Sequence, residues 1–224
     1  MGELARRDLG LLSYGDAWRV QLELLEARAE DKIPDTLLFV QHLPVITLGR
    51  KTPGVRDGAA FPAEIRGVPV HLVERGGEAT YHGPGQLVVY PIVRLSLRMG
   101  PKVFLRAMEE SMVAALATCG LKAYWLEGKT GVWILDSQNR ERKIGSLGIA
   151  VRKGVSYHGL ALNVSNDLLP FSLIQPCGFA ATVMTSVSEI LRREVSVEEV
   201  APLLERALRA RILINAFSPE ARNT

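Results

Sequence analysis

The sequence predicts one α/β domain in which helices flank a mixed, largely antiparallel sheet. Short β-prone runs recur along the chain, and three stretches carry apolar residues at helical spacing. These segments do not alternate regularly, which argues against repeated parallel βαβ units. Because apolar residues make up 47% of the 224 residues, the chain can bury one sizeable core, and we expect a single domain over residues 1–224.

The first half of the chain opens with a predicted helix. Ser13 and Asp16 resemble a capping box, and the periodicity up to about Ala29 places Trp18, Leu22 and Leu25 on one face. The Gly-rich, polar segment 74–85 is predicted to be a structured functional loop, since it cannot hide its polar groups in a regular core. Four strands are predicted in this half, at Leu37–Val40, Val45–Leu48, Val68–Val73 and Leu87–Val93.

The second half of the chain contains the longest predicted helix. Pro101 suits the first turn of a helix and Gly120 suits its C-terminal end, and the two residues bracket an apolar periodicity over Val103–Cys119. Three further strands and a closing amphipathic helix are predicted at Val132–Leu135, Ile144–Val151, Val155–Val164 and Val197–Ile212.

Composition and charge narrow the class of protein. The apolar stretch Leu9–Leu12 is too short for a signal peptide or a membrane span. The two cysteines form no CxxC pair, so we expect neither a disulfide framework nor a thiolate metal site, and a cytoplasmic location. The net charge of +3 is scattered without a basic, aromatic-rich run, which argues against nucleic-acid binding and leaves room for an acidic protein partner.

Cys177 is the candidate nucleophile. It lies between Pro176, which cannot donate to a strand ladder, and Gly178, which permits unusual backbone angles, so its thiol lies on an irregular segment. The alternative is that Cys177 fills a gap, which is the commoner fate of a free cysteine. Cys119, at the end of an apolar helix, is explained by burial alone and is given no chemical role.

A thiol needs a base or a nearby positive charge to act as a nucleophile near neutral pH. Lys143, at the start of a predicted strand, could be that base, although a solvated lysine beside a charged turn explains it as well. His82 and His158 each precede a glycine, where a ligand can approach the backbone closely. Structural hydrogen bonding accounts for these two histidines equally well.

Metal and nucleotide sites have no sequence support. His42 and His71 have no partner at the spacing of metal ligands. The glycines between Gly76 and Gly85 match neither GxGxxG nor GxxxxGK[ST], so neither ATP nor NAD binding is indicated. We therefore predict no metal and no cofactor.

Five segments in order resemble the lipoyl(octanoyl) transferase family. They are RGGEATYHGPGQ at 75–86, GVW at 131–133, KIGSLG at 143–148, HGLALN at 158–163 and PCG at 176–178. The resemblance implies an acyltransferase that moves an octanoyl group from octanoyl-acyl carrier protein to a lysine of lipoyl domains. The acceptors would be 2-oxoacid dehydrogenases and the glycine cleavage H protein, with neither nucleic acid nor membrane as a partner.

The resemblance also assigns residues. It makes Cys177 the residue that carries the acyl thioester and Lys143 the group that sets the protonation of that thiol and shuttles protons. It implies a fold like the catalytic domains of biotin protein ligases and lipoate ligases. One departure is Gln41, where the family pattern has an acidic residue. The substrate-contacting residues implied are Arg75, Gly76, Gly77, Glu78, Ala79, Thr80, Tyr81, His82, Ser146, Leu147, Gly148, His158, Gly159, Leu160 and Ala161.

Three other functions fit parts of this pattern. An ATP-dependent lipoate or biotin ligase on the same fold would activate a free acid and need no cysteine. A cysteine thioesterase or hydrolase would pair Cys177 with His82 or His158. An inert acyl-binding protein would use the pocket alone.

Overall fold

The computed structural model describes residues 4–97, 99–174 and 183–217, with the backbone alone for 213–217. Its strands are β1 (Leu4–Leu12), β2 (Asp35–His42), β3 (Val45–Leu48), β4 (Glu64–Ile65), β5 (Val68–Leu72), β6 (Ala79–His82), β7 (Gln86–Ile92), β8 (Ala123–Leu126), β9 (Lys129–Leu135), β10 (Glu141–Arg152) and β11 (Val155–Asn163). Its helices are α1 (Tyr14–Ala29), α2 (Pro101–Thr118), a 3-10 turn at Leu169–Leu173, α3 (Val187–Leu191) and α4 (Val197–Phe217).

The strands form two sheets. Seven strands pair in the order β1-β2-β7-β11-β10-β9-β8, and four pair in the order β4-β5-β3-β6. Only the pairs β1–β2 and β3–β5 are parallel among the pairings of named strands. The predicted mixed, largely antiparallel sheet flanked by helices is confirmed.

Helices cover both faces of the seven-stranded sheet. Leu37 and Phe39 of β2 belong to the core that includes α2 and α4, whereas Leu38 and Val40 belong to the core under α1. Successive side chains of a strand point to opposite faces, so the central run of β2, residues 37–40, is apolar because both of its faces are buried.

Most of the predicted elements are present, and three expectations need correction. The side chain of Ser13 accepts a hydrogen bond from Asp16 N and caps α1 as predicted. The buried residues of this helix are Tyr14, Ala17, Gln21 and Leu25, so Trp18 and Leu22 lie toward its partly exposed flank. The pattern misses β1 entirely, since this edge strand is largely exposed.

The third correction concerns segment 74–85, which contains the strand β6 and is not wholly a loop. All four residues of β6 are buried because Ala79 and Tyr81 face one side and Thr80 and His82 the other. The segment hides its backbone polar groups by pairing β6 with β3.

The two ends of the described chain lie together. The Arg6 guanidinium is 2.6 Å from the Glu205 carboxylate, and Arg209 donates to the Leu4 carbonyl. Leu4 shares its apolar core with Leu204 and Leu208 of α4. Strand β1 is therefore held on the sheet by the last helix of the fold.

Candidate active site

A cleft opens between the two sheets. It encloses about 410 Å³ of empty space, its open mouth included. Its walls come from α1, β6, β7, β10, β11 and the loop before β6. The lining residues are Tyr14, Arg75, Thr80, His82, Val88, Tyr90, Ser146, Leu147, Gly148, His158, Gly159, Leu160 and Ala161.

The residues expected to contact substrate form three segments, 146–148, 158–161 and 75–82, and strand pairing aligns the first two. In the antiparallel ladder of β10 and β11, Ser146 lies opposite Ala161 and Gly148 lies opposite Gly159. The third segment reaches the same cleft through Arg75, Thr80 and His82. Residues far apart in the chain thus share one wall.

The other members of the third segment do not line the cleft. Ala79 and Tyr81 pack in the apolar core of the smaller sheet, on the face opposite Thr80 and His82. Gly76 donates its N–H to the Ile149 carbonyl, and Glu78 accepts at its carbonyl from Gly49 N. These residues, together with Gly77, hold the wall in place.

Glycine is required where the chain segments of this wall cross. A Cβ at Gly148 would lie 2.5 Å from the Gly76 carbonyl oxygen, closer than real Cβ atoms approach. A Cβ at Gly159 would collide with the Val89 carbonyl oxygen of the neighbouring strand. Both glycines therefore permit a close backbone approach.

Arg75 brings a buried positive charge to the cleft. Its Nη2 donates to the carbonyl and the hydroxyl of Thr47, each at 2.8 Å, and its Nη1 donates to the Gly76 carbonyl at 3.1 Å. These bonds fix the guanidinium against the smaller sheet.

Three histidines and two tyrosines pack together at the cleft, and we call Tyr14, His42, His82, Tyr90 and His158 the histidine cluster. The ring centroids of Tyr14 and His42 are 5.4 Å apart, and those of His42 and His82 are 5.6 Å apart. His42 Nε2 is 2.7 Å from the Tyr90 hydroxyl, and the Tyr14 hydroxyl is 3.3 Å from His158 Nδ1. The cluster joins α1 to β2, β6, β7 and β11.

The imidazoles of this cluster are neutral near pH 7. Burial lowers the pKa of His82 to about 3 and that of His42 to about 4. Burial also lowers the pKa of His158, although the Glu74 carboxylate 3.6 Å from its Nε2 opposes this shift. The cluster is polar and yet carries no imidazolium charge at neutral pH.

His158 is held in an unusual backbone conformation. Its φ is 55°, in the left-handed region that residues other than glycine rarely adopt. Its N–H donates to Gln21 Oε1 at 2.9 Å, which accounts for a fully buried glutamine on α1. Such outliers persist only where the surrounding structure determines them, and they concentrate at functional sites.

Lys143 lies three residues before Ser146 on β10, beyond the residues that line the cleft. Only 1% of its surface is exposed, and its Nζ is 5.6 Å from the centre of the Trp133 ring. The Lys143 carbonyl accepts from Thr185 N at 3.0 Å, and Lys143 also forms a parallel bridge with Met184. The solvated hairpin lysine that the sequence allowed is therefore wrong.

Cys177 lies outside the described residues, as do Pro176 and Gly178. The described chain on either side lies near the cleft wall, because Ile174 and Val183 pack with the apolar core that contains Ala79 and Tyr81. Cys119 follows α2, packs against the main core, and has its thiol pKa raised chiefly by burial. Cys119 is partly buried, and packing as a small apolar residue fits it.

Sequence reasoning missed three lining residues: Tyr14, Val88 and Tyr90. Tyr14 directly follows the Ser13 cap, and Tyr90 stands among apolar residues of β7, where a buried hydroxyl requires a hydrogen-bond partner. Gln41, the departure from the family pattern, accepts from Gly85 N at 2.8 Å through its side-chain oxygen. A neutral amide suffices for that bond.

The described residues contain neither a candidate metal centre nor a candidate membrane-spanning helix. No group of three His, Cys, Asp or Glu side chains in it could hold a metal ion. No helix in it is long and apolar enough to cross a membrane.

Residues 13–209 match the model of the family described as the lipoyl protein ligase A/B catalytic domain. The octanoyltransferase of Acidothermus cellulolyticus is 40% identical over 201 residues, covering 90% of this chain and 88% of that protein. The octanoyltransferase of Mycolicibacterium smegmatis is 42% identical over 204 residues, covering 90% of this chain and 86% of its own.

Two solved structures share the fold. Lipoate-protein ligase A bound with ATP aligns with a TM-score of 0.65 at 20% identity, covering 95% of this chain and 85% of that one. Biotin protein ligase from Aquifex aeolicus aligns with a TM-score of 0.54 at 13% identity, covering 97% of this chain and 72% of that one. The fold predicted from the resemblance is thus confirmed.

Proposed function

The chain belongs to the lipoyl protein ligase A/B catalytic domain family, and we propose that it transfers an octanoyl group from octanoyl-acyl carrier protein to a lysine of lipoyl domains. Cys177 would carry the acyl group as a thioester, and Lys143 would handle the protons. The acceptors would be lipoyl domains of 2-oxoacid dehydrogenases and the glycine cleavage H protein.

The observation that carries this proposal is the composition of the cleft. Its described walls combine apolar side chains, Val88, Leu147 and Leu160, with glycines that let a ligand approach the backbone. Ten of the fifteen residues expected to contact substrate line it. The clustered imidazoles are uncharged at neutral pH, which suits an uncharged acyl chain.

In the first half-reaction, the resting pair is a Cys177 thiolate and a Lys143 ammonium. The thiolate attacks the carbonyl carbon of the octanoyl thioester, and the oxyanion that forms collapses with cleavage of the bond to the carrier sulfur. The ammonium gives its proton to the departing thiolate. The products are free carrier thiol, octanoyl-Cys177 and a neutral Lys143 amine.

In the second half-reaction, the neutral amine of the acceptor lysine attacks the octanoyl-Cys177 carbonyl carbon. Lys143 takes the proton that the attacking nitrogen loses, and Cys177 leaves as a thiolate. The amide bond replaces the thioester bond, and the resting pair is restored. No net proton is gained or lost at the site.

The test uses the full chain, octanoyl-acyl carrier protein and an apo lipoyl domain, without ATP. We expect a covalent octanoyl adduct on Cys177 by peptide mass spectrometry when the acceptor is withheld, and octanoyl-lysine when it is added. Cys177→Ser should abolish both, and Cys119→Ser, the matched control, should leave both unchanged. An adduct on Cys119, or transfer that requires ATP and free octanoate, would refute the proposal.

The role of Lys143 is tested separately. Lys143→Met should move the midpoint of Cys177 alkylation by iodoacetamide to higher pH, because a positive charge that favours the thiolate is lost. It should also reduce octanoyl transfer by about a hundredfold or more, the scale of a lost proton transfer. An alkylation profile equal to that of the parent protein would remove Lys143 from the mechanism.

A further inference from the structure

The interior of the fold contains one buried lysine and one buried carboxylate among the described residues. Lys143 is 1% exposed and Glu109, on α2, is 5% exposed. A buried charge is costly unless an opposite charge or hydrogen bonds compensate for it. The placement of Glu109 relative to Lys143 therefore requires an explanation.

The two side chains meet at Gly131 on β9. A Cβ at this position would lie 2.5 Å from Lys143 Cε, 2.8 Å from the Gly145 carbonyl oxygen and 3.2 Å from Lys143 Nζ. The end of the lysine side chain thus occupies the space that any larger residue would fill. Gly131 also has a φ of 131°, a conformation that favours glycine.

Gly131 also forms a hydrogen bond with Glu109 through its backbone. The Gly131 N–H donates to Glu109 Oε1 at 2.9 Å, so the carboxylate and the lysine contact the same residue. Glu109 Oε2 lies 2.9 Å from Arg106 Nη1, and the Arg106 guanidinium stacks 3.4 Å above the Trp125 ring. These contacts fix the carboxylate in one position.

The electrostatic effects on Glu109 oppose one another. Burial raises its pKa, while the Gly131 N–H and the charges of Arg106 and Lys143 act in the opposite direction. The shared contact with Gly131 places Lys143 near Glu109, and its positive charge acts to lower the pKa of this carboxyl.

Two charged groups near Lys143 in the described part of the chain, those of Arg142 and Glu189, have partners of their own. Arg142, the preceding residue, has its Nη1 3.3 Å from Asp136 Oδ2 and donates to the Met184 carbonyl. Glu189, on α3, accepts from the Thr185 hydroxyl at 2.7 Å. Strand β9 contributes Trp133, which has no charge, so Glu109 is the buried acid near the lysine among the described residues.

We propose that Glu109 and Gly131 are positioning residues for Lys143. Gly131 leaves room for the lysine side chain, and the Glu109 carboxylate keeps the lysine in its ammonium form and in place. This inference rests on the proposed function, because it assumes that the charge of Lys143 sets the reactivity of Cys177. A purely structural Glu109 would only anchor Gly131, and its charge would be irrelevant.

The charge is tested with Glu109→Gln, which keeps an oxygen that can accept from the Gly131 N–H. We expect the midpoint of Cys177 alkylation in the full chain to rise by about 0.5–1 pH unit, since an opposite charge near the lysine is lost. Glu110→Gln is the matched control, because Glu110 is the next residue on the same helix, is 43% exposed and pairs with Arg211. The control should leave the midpoint unchanged.

The need for space beside the Lys143 side chain is tested with Gly131→Ala, and Gly128→Ala is the control. Both glycines have positive φ, but a Cβ at Gly128 would meet nothing within 4 Å, so the control carries backbone strain without the clash. We expect Gly131→Ala to raise the midpoint as Lys143→Met does and to lower octanoyl transfer by about tenfold or more, and Gly128→Ala to do neither. If circular dichroism shows that Gly131→Ala does not fold, the result with Glu109→Gln decides whether the positioning role stands.

The outcomes separate the two proposals. If Lys143→Met raises the midpoint and Glu109→Gln does not, the positioning role is refuted and the proposed function stands. If Lys143→Met itself leaves the midpoint unchanged, the proposed role of Lys143 fails first. Adding Glu109→Gln to Lys143→Met should raise the midpoint no further, and an additive rise would show that Glu109 acts independently of Lys143.

Discussion

Two buried polar regions adjoin the paired strands β10 and β11, the histidine cluster through His158 on β11 and the other through Lys143 on β10, and they keep their ionisable groups in different ways. The histidine cluster gathers groups that could carry charge and keeps its imidazoles neutral by burial. The region around Lys143 and Glu109 instead keeps two ionisable groups together inside the core. The fold thus keeps imidazolium charge out of its cleft and places a buried lysine and a buried carboxylate beside it.

The largest expected effect is a loss of stability at acid pH, caused by the histidine cluster. Unfolded histidines take up protons near their ordinary pKa of about 6.5, whereas folded His42 and His82 do so only near about 4 and about 3. Stability is therefore full above about pH 6.5 and falls as the pH decreases toward the folded values. At pH 5 we expect a loss on the order of 2 kcal/mol for each of the two histidines.

Urea unfolding of the parent protein at pH 7 and pH 5 measures this loss. His82→Asn should reduce the difference between the two pH values by about half, while Tyr90→Phe should leave it in place because both histidines remain. A stability that is the same at pH 5 and pH 7 would show that the cluster admits protons in the folded state.

Glu109→Leu should have the next largest effect. It leaves the Gly131 N–H without its acceptor and removes the carboxylate that faces Arg106 and Lys143. Removing one partner of a buried charge pair typically costs about 3–5 kcal/mol, and we expect a value near about 3 because Arg106 is partly exposed. Urea unfolding at pH 7 measures it.

A double-mutant cycle with Lys143→Met shows whether the two charges are coupled. We expect the double variant to be more stable than additivity predicts, by more than about 0.5 kcal/mol. Strict additivity would show that the charges of Glu109 and Lys143 are not coupled, and the contrast with the histidine cluster would then fail.

Tyr90→Phe should have the smallest of these effects. It removes a 2.7 Å hydrogen bond to His42 Nε2 and leaves that nitrogen unpaired, at a cost of about 1–2 kcal/mol in urea unfolding. Because the groups are neutral, the loss should be the same at low and high salt. A strong dependence on salt would contradict the neutral state assigned to His42.

Local pattern predicted the interior elements of the fold well. The Ser13 cap, the Pro101 start and the Gly120 end each fix a helix boundary through chemistry within a few residues, and all three hold. Strands β2 and β7 each contain a run of at least three consecutive apolar residues, so their signal does not depend on the fold around them. These elements are specified by their own residues.

The missed features depend on distant partners. Strand β1 is mostly exposed and gains its pairing from β2 and its cover from α4, so its own residues carry no strand pattern. Gln21 is buried on α1 because the His158 N–H requires an acceptor 137 residues further along the chain. Glu109 was not singled out either, since its partner Gly131 lies on another element.

The site residues divide in the same way, into those that local motifs predict and those that depend on distant partners. Short motifs located Arg75, His82 and the small residues of β10 and β11 because each segment needs glycine where backbones cross. Tyr14 and Tyr90 reach the cleft through the packing of α1 and β7, which no local motif records. The roles of Cys177 and Lys143 stay predictions.

The junction of β1 with α4 bears on how the chain matures during synthesis. The core that begins with Leu4 is completed only by Leu204 and Leu208, which leave the ribosome about two hundred residues later. Until then, this face of the larger sheet is covered by α2 but not by α4, and the apolar residues that α4 covers in the folded protein are exposed. A ribosome-bound chain that ends before α4 should therefore be bound by holdase chaperones, whereas the released chain should not.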